Sequence, residues 1–234
     1  MTFSKLIQIN KYDLYMIGGE QALPSILPRY YEVATSCMKI DLRSGQVEVC
    51  ASMNDGRYAF GLCNIGSLIY VIGGTSKMSN IKTCESYNVF SDKWQRLPEA
   101  CNLDQYSCGT TTGVVKQKFI FCFGGWNEYN TGTDPTIERI LRLNTLIVKK
   151  GWAKIVIKNP TNQVGIQQGV VPLGFANDDE TEFEFLVFGG RMSKPIMSQI
   201  KRTCIFKTNL ENFKDSSLVL LKNELYIEDR FYYN

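Results

Sequence analysis

An all-β chain of repeated four-stranded antiparallel units is predicted by three observations. An apolar, strand-forming run ends in a glycine pair four times: Leu14 into Gly18-Gly19, Ile69 into Gly73-Gly74, Ile120 into Gly124-Gly125 and Phe185 into Gly189-Gly190. The first glycines stand at 18, 73, 124 and 189, a period near fifty residues that marks an internal repeat. Between the pairs lie further short strand-forming runs separated by turn residues. At 234 residues the chain suits one all-β domain spanning 1–234.

The unit is clearest from Arg57 to Pro98. Arg57 to Cys63 makes a first apolar strand, Ile65-Gly66-Ser67 a turn, and Leu68 to Ile72 a second strand that ends at Gly73-Gly74. The polar loop Thr75 to Asn80 leads into a third strand through Tyr87; Phe90-Ser91-Asp92 turns the chain, and Trp94 opens the fourth. Four short strands repeating at this period describe a propeller blade. The glycine pair ends a strand where neighbouring blades crowd, because a residue without Cβ permits close backbone approach and positive φ. The aromatic of strand three and the tryptophan of strand four fill the space between blades, worth on the order of 2–3 kcal/mol per buried ring.

The glycine pair, then Tyr87, six residues, Trp94 and Leu97-Pro98, resembles the kelch repeat. In the first unit the tyrosine and tryptophan positions become Ile40 and Val47, followed by Met53 and Arg57 at the family's methionine and arginine positions. The third unit keeps Trp152 but has Leu143 for tyrosine, with two extra residues between. The fourth is expected to use Phe206 and Phe213, and the arginine after blade two becomes Gln105. The resemblance implies a kelch-type propeller with blades near 4–53, 57–99, 105–157 and 165–222. Asp229-Arg230-Phe231-Tyr232 is similar to Asp55-Gly56-Arg57-Tyr58, which predicts the start of a further blade at 228–234. An array of this length is expected to be part of a larger propeller, or to close by self-association, because open blade faces are apolar. The longer fourth spacing comes from Asn177 to Glu182, an acidic insertion between the first two strands of blade four, read as a solvated loop. Its ligand spacing does not follow an EF-hand calcium loop.

Twenty-six Lys and Arg against 23 Asp and Glu leave a net charge of +3. Basic pairs such as Lys149-Lys150 and Lys201-Arg202 read as solvated surface, and no basic stripe interleaved with aromatics points to nucleic acid. No apolar window is long enough for a membrane helix, and no signal peptide is indicated. Eight cysteines without a secretion signal read as reduced thiols. Cys37, Cys84 and Cys204 follow a repeat position rather than a pairing pattern. The expected compartment is the cytoplasm, with the nucleus as the alternative.

The sequence has no histidine, which removes Ser-His-Asp and Cys-His catalysis, histidine zinc sites, and the copper ligands of galactose oxidases, which share this repeat. No Walker loop or dinucleotide fingerprint is present, so no catalytic residue, metal site or cofactor is assigned. The kelch resemblance instead implies a non-enzymatic interaction module whose protein or peptide partner docks on the loops joining strands two and three and on those joining blades. Those loops place Arg29, Tyr30, Tyr31, Arg57, Trp126, Asn127, Tyr129, Asn130 and Arg191 on the partner face. Arg, Tyr and Trp dominate interface hot spots. The resemblance further implies a scaffold or a substrate-recognition propeller for a ubiquitin ligase. The ligase role in that family usually accompanies an N-terminal BTB domain in the same chain. The alternative is a sugar-processing enzyme of the sialic-acid mutarotase type, which requires an Arg, Glu and Asp cluster in the channel.

Overall fold

A computed structural model describes residues 3–22, 31–104, 107–125, 140–155, 169–189, 191–192, 198–199, 203–213 and 215–221. These residues form four four-stranded antiparallel sheets, as the repeat predicts. Blade one is β1 (Lys5–Gln8) and β2 (Asp13–Ile17), then β5 (Cys37–Asp41) and β6 (Val47–Cys50). Between them the two-stranded ribbon of β3 (Glu20–Ala22) and β4 (Tyr31–Val33) rises from the glycine pair. Blade two is β7 (Gly61–Ile65), β8 (Leu68–Ile72), β9 (Cys84–Asn88) and β10 (Lys93–Arg96). Blade three is β11 (Thr111–Val115), β12 (Phe119–Phe123), β13 (Ile140–Asn144) and β14 (Ala153–Ile155). Blade four is β15 (Gly169–Phe175) and β16 (Glu182–Phe188), then β19 (Thr203–Asn209) and β20 (Ser217–Leu220). A second ribbon pairs β17 (Arg191–Met192) with β18 (Ser198–Gln199). The predicted fifth-blade start at 228–234 lies outside the described residues.

First strands meet in series, β1 against β7, β7 against β11 and β11 against β15, so the blades stack about their first strands as in part of a propeller. Three hydrophobic cores fill the three joints. Tyr15, Ile17, Cys37, Phe60, Ile69, Val71 and Tyr87 occupy the first, and Tyr70, Ile72, Cys84, Leu103, Ile120, Cys122 and Leu143 the second. The third is a phenylalanine cluster of Phe121, Phe123, Phe185 and Phe206. This explains why the runs before the second and third glycine pairs are apolar without alternation. β8 and β12 are covered on both faces, so successive residues enter different cores. β16, by contrast, alternates buried Phe183, Phe185 and Val187 with less buried neighbours, because its other face meets no blade among the described residues. Blade one likewise turns Leu6, Met16, Met38, Ile40, Val47 and Val49 away from blade two.

Four asparagine or aspartate side chains set the turns between strands three and four. Asp41, Asn88, Asn144 and Asn209 each accept from the backbone N–H two residues ahead, at 2.8–3.0 Å, the Asx-turn that these residues favour. Register against the run before each glycine pair fixes the repeat: Ile40, Tyr87, Leu143 and Phe206 stand opposite Leu14, Ile69, Ile120 and Phe185, each four residues before the first glycine. Phe206 therefore takes the tyrosine position, and Leu218 opposite it takes the place that Trp94 holds opposite Tyr87. Thr208 lies two residues further on, its hydroxyl 2.9 Å from that of Ser216. Phe213 sits in the turn before β20 rather than in the strand, and its ring meets Phe119, Phe121 and the Arg142 guanidinium across the joint. In blade three the extra residues form the 3-10 turn Thr145–Lys150, which returns Trp152 to its place.

Candidate functional site

The face that carries the strand-two-to-three loops and the inter-blade loops is built on the glycine pairs. Gly18, Gly73, Gly124 and Gly189 all have φ between +56° and +67°, the left-handed region that only glycine enters without strain. Gly19 N–H donates to the Arg57 carbonyl at 2.9 Å and Gly74 N–H to the Ser107 carbonyl at 2.8 Å. A Cβ on Gly18 would stand 2.6 Å from the Arg57 carbonyl oxygen, and one on Gly73 would stand 2.8 Å from that of Ser107. Each pair is therefore the seat for the chain entering the next blade. Ser107, not Gln105, takes the place of Arg57 in the following joint; Gln105 lies outside the described residues.

Arg57 occupies the centre of the first joint and is fully buried. Nε donates to the Asp55 carbonyl at 3.3 Å, and Nη1 to the carbonyls of Gly73 and Thr83 at 2.8 and 2.7 Å. Nη2 donates to Thr83 Oγ1 at 3.2 Å and to Glu85 Oε1 at 2.5 Å. All five guanidinium N–H donors thus have an acceptor. Glu85, also fully buried, accepts in addition from Asn54 N–H at 2.9 Å, Asn54 Nδ2 at 2.6 Å and Asp55 N–H at 3.2 Å. Asp55 closes the rim, accepting from Thr83 Oγ1 at 2.9 Å and from the exposed Arg96 at 2.8 Å. Arg57 was expected to face a partner. Its guanidinium is instead spent inside the joint, where it holds the Asn54-to-Arg57 loop rigidly on blade two.

The tryptophans fasten the outer edge of the same joints. Trp94 Nε1 donates to the Ala51 carbonyl at 2.8 Å and Trp152 Nε1 to the Cys101 carbonyl at 2.6 Å. Ala51 also donates its N–H to Asp92 at 2.8 Å, and Asp92 accepts from Tyr87 Oη at 2.7 Å. Tyr87 stacks near Trp94, with ring centroids 5.0 Å apart. These two donors hold the Asp92 carboxyl below the usual carboxylate range.

Of the residues expected on the partner face, Tyr31 opens β4 opposite Ala22, and Arg191 opens β17 opposite Gln199. Each therefore begins a strand of one of the two ribbons that extend this face. Arg29, Tyr30, Trp126, Asn127, Tyr129, Asn130 and Gly190 lie outside the described residues. Between the ribbons, the loop after Gly74 is tightened by Ser76, whose Oγ donates to the Ser79 carbonyl at 3.0 Å.

No group of histidine, cysteine and acidic residues that could hold a metal occurs among the described residues. The acidic insertion of blade four is a turn in which Asn177 Oδ1 accepts from Glu182 N–H at 2.9 Å and Asp179 Oδ1 from Thr181 Oγ1 at 2.7 Å. The first strands of the four blades carry no carboxylate. The Arg57, Glu85 and Asp55 cluster lies in a blade joint with its hydrogen bonds met internally. No described helix is long and apolar enough to cross a membrane.

The stacked four-stranded blades and their glycine seats define a partial β-propeller. Residues 56–100 match the family model for the Kelch motif, which coincides with blade two and its entering loop. The chain is 30% identical over 116 residues to a putative F-box/kelch-repeat protein of Arabidopsis thaliana. That similarity covers 49% of this chain and 28% of the relative's length.

Proposed function

We propose that the chain is a non-enzymatic interaction module that holds a protein or peptide partner on its loop face. The supporting observation is the stiffness of the base beneath those loops. Glycine seats and the closed Arg57–Glu85 network fix the inter-blade loop, while the two ribbons extend the face outward. A rigid scaffold carrying variable loops suits recognition. The contacts would come from Arg29, Tyr30, Tyr31, Trp126, Asn127, Tyr129, Asn130 and Arg191, with Arg57 as their internal support. The absence of carboxylates on the four first strands and the closed state of the Arg57, Glu85 and Asp55 cluster favour this reading over a sugar-processing enzyme.

The finer reading is recognition of a substrate for a ubiquitin ligase, the role implied by the kelch resemblance, in the cytoplasm or nucleus. The Arabidopsis relative is named for a kelch repeat together with an F-box, which supports a recognition module serving an adaptor. The test is affinity capture with the wild type and with Tyr30→Ala and Trp126→Ala. Loss of the same proteins from both variants, at unchanged melting temperature, supports the loop face. Unchanged capture removes it.

A further inference from the structure

Cys37 and Cys50 face each other directly across β5 and β6. Both lie on the side of blade one that turns toward Tyr87 of blade two, where Cys37 is part of the core of the first joint and Cys50 packs against it. We propose that these two residues are an oxidisable dithiol that closes to an intramolecular disulfide when the chain meets a peroxide-class oxidant.

Geometry carries the pairing. Directly opposed residues of an antiparallel pair have Cα atoms about 4.5–5.5 Å apart, inside the roughly 4.4–6.8 Å range of disulfides. β6 is the outermost strand of its sheet, with only β5 beside it, so it can adjust its position at low cost. Among the eight free cysteines, only Cys50 is not buried, which makes it the sulfur an oxidant reaches. Burial pushes the Cys37 thiol well above its ordinary pKa and keeps it protonated until a partner sulfur is activated. The other thiols are placed differently. Cys84 and Cys101 share a core, yet their sulfurs donate to the carbonyls of Cys101 and Val148 at 3.1 Å, and neither faces a cysteine across a strand pair.

The chemistry balances with hydrogen peroxide as oxidant. Cys50 sulfur attacks one peroxide oxygen, the O–O bond breaks, and a sulfenic acid and one water result. Cys37 sulfur then attacks the sulfenic sulfur; the S–S bond forms, and the hydroxyl leaves with the Cys37 proton as a second water. The two sulfurs lose two electrons together, and the peroxide gains them. The position gives the bond a consequence. Ala51, next to Cys50, carries the hydrogen bonds to Asp92 and Trp94 that fasten blade one to blade two. A disulfide at 37–50 pins that clasp to the centre of its sheet.

The experiment treats the full chain with hydrogen peroxide and follows intact mass, peptide linkage and melting. The expected result is a loss of about 2 Da in the monomer, reversed by dithiothreitol. It should be accompanied by a Cys37–Cys50 linked peptide and a melting temperature raised by several degrees. Cys37→Ser should instead leave a Cys50 sulfenic acid that dimedone traps, and Cys50→Ser, at the more exposed position, should abolish the mass loss. Over-oxidation of Cys50 in the wild type without linkage, or a 2 Da loss that persists in either variant, overturns the proposal.

Discussion

Arg57, from the loop that enters blade two, and Glu85, from that blade's third strand, form a fully buried ion pair with 2.5 Å between Nη2 and Oε1. Removing one member of a buried pair leaves the other charge without a partner, at a cost of about 3–5 kcal/mol. Glu85→Ala would also strip the acceptor from the Asn54 and Asp55 N–H groups. The next joint shows an apolar solution, with Ser107 and Leu141 at the matching positions. Urea unfolding should therefore show Arg57→Met and Glu85→Leu each strongly destabilising and the double variant less so than their sum. Strict additivity would mean that the pair is not coupled.

The glycine seats make a contrast between two alanine substitutions. Gly73 has φ +62°, and a Cβ there would meet the Leu103 side chain at 2.7 Å and the Ser107 carbonyl at 2.8 Å. Gly45 has φ +73° but nothing within 4 Å of its Cβ. Both alanines carry backbone strain of about 1 kcal/mol, but only Gly73→Ala also forces two chains apart. Thermal unfolding should show the larger loss for Gly73→Ala; equal losses would show that φ alone matters.

Trp94→Phe keeps an aromatic body and deletes the bond to the Ala51 carbonyl. Loss of one such bond costs about 1 kcal/mol, and the carbonyl left behind is near the surface, where water replaces the donor. Trp152→Phe removes the corresponding bond to Cys101, whose residue is buried, and should cost more. A reversed order in melting temperature would count against the burial argument.

Acid should weaken the first joint through Asp92. Its carboxyl is held below the ordinary value of 3.8 by the Ala51 N–H and the Tyr87 hydroxyl. A group with a depressed folded pKa adds stability above its unfolded pKa and loses it as pH falls through the folded one. Asp92→Asn retains an acceptor oxygen but does not titrate. The stability gap between wild type and variant should be widest above about pH 5 and narrow as pH falls below the ordinary carboxylate range. A gap that stays constant over that range would separate Asp92 from the acid response.

The glycine pairs made the fold legible because each one answers a backbone requirement that no other residue meets. The partner face was less legible. Arg57 in a polar loop reads as solvent-exposed, yet Glu85 sits between Cys84 and Tyr87 in a strand bound for the core, and a buried acid demands a cation. Spacing from the glycine pair put Phe206 in the tyrosine place, opposite Phe185, but it missed the tryptophan place. The third and fourth strands of the last unit run on longer before they turn, so Leu218 rather than Phe213 stands opposite Phe206. Ile40 and Val47 stand opposite each other in the tyrosine and tryptophan places of blade one, and both face away from the described blades.

That outward face leads to the last prediction. Val47 and Val49 are 59% and 79% exposed and Leu6 is 59% exposed, on a face where Gln8 is the one polar side chain among the eight strand residues. Apolar surface of this kind associates, and the matching face of blade two is covered by blade one through Tyr87 and Trp94. A second copy of the chain covering blade one would therefore repeat a contact that the protein already makes. Light scattering should give a mass above that of the monomer, and Val47→Lys with Val49→Lys should lower it without reducing the melting temperature of the monomer. The charges enter a solvated edge strand, so they cost little when the face is free. A monomeric wild type, or a mass that the lysines leave unchanged, would exclude this face from self-association.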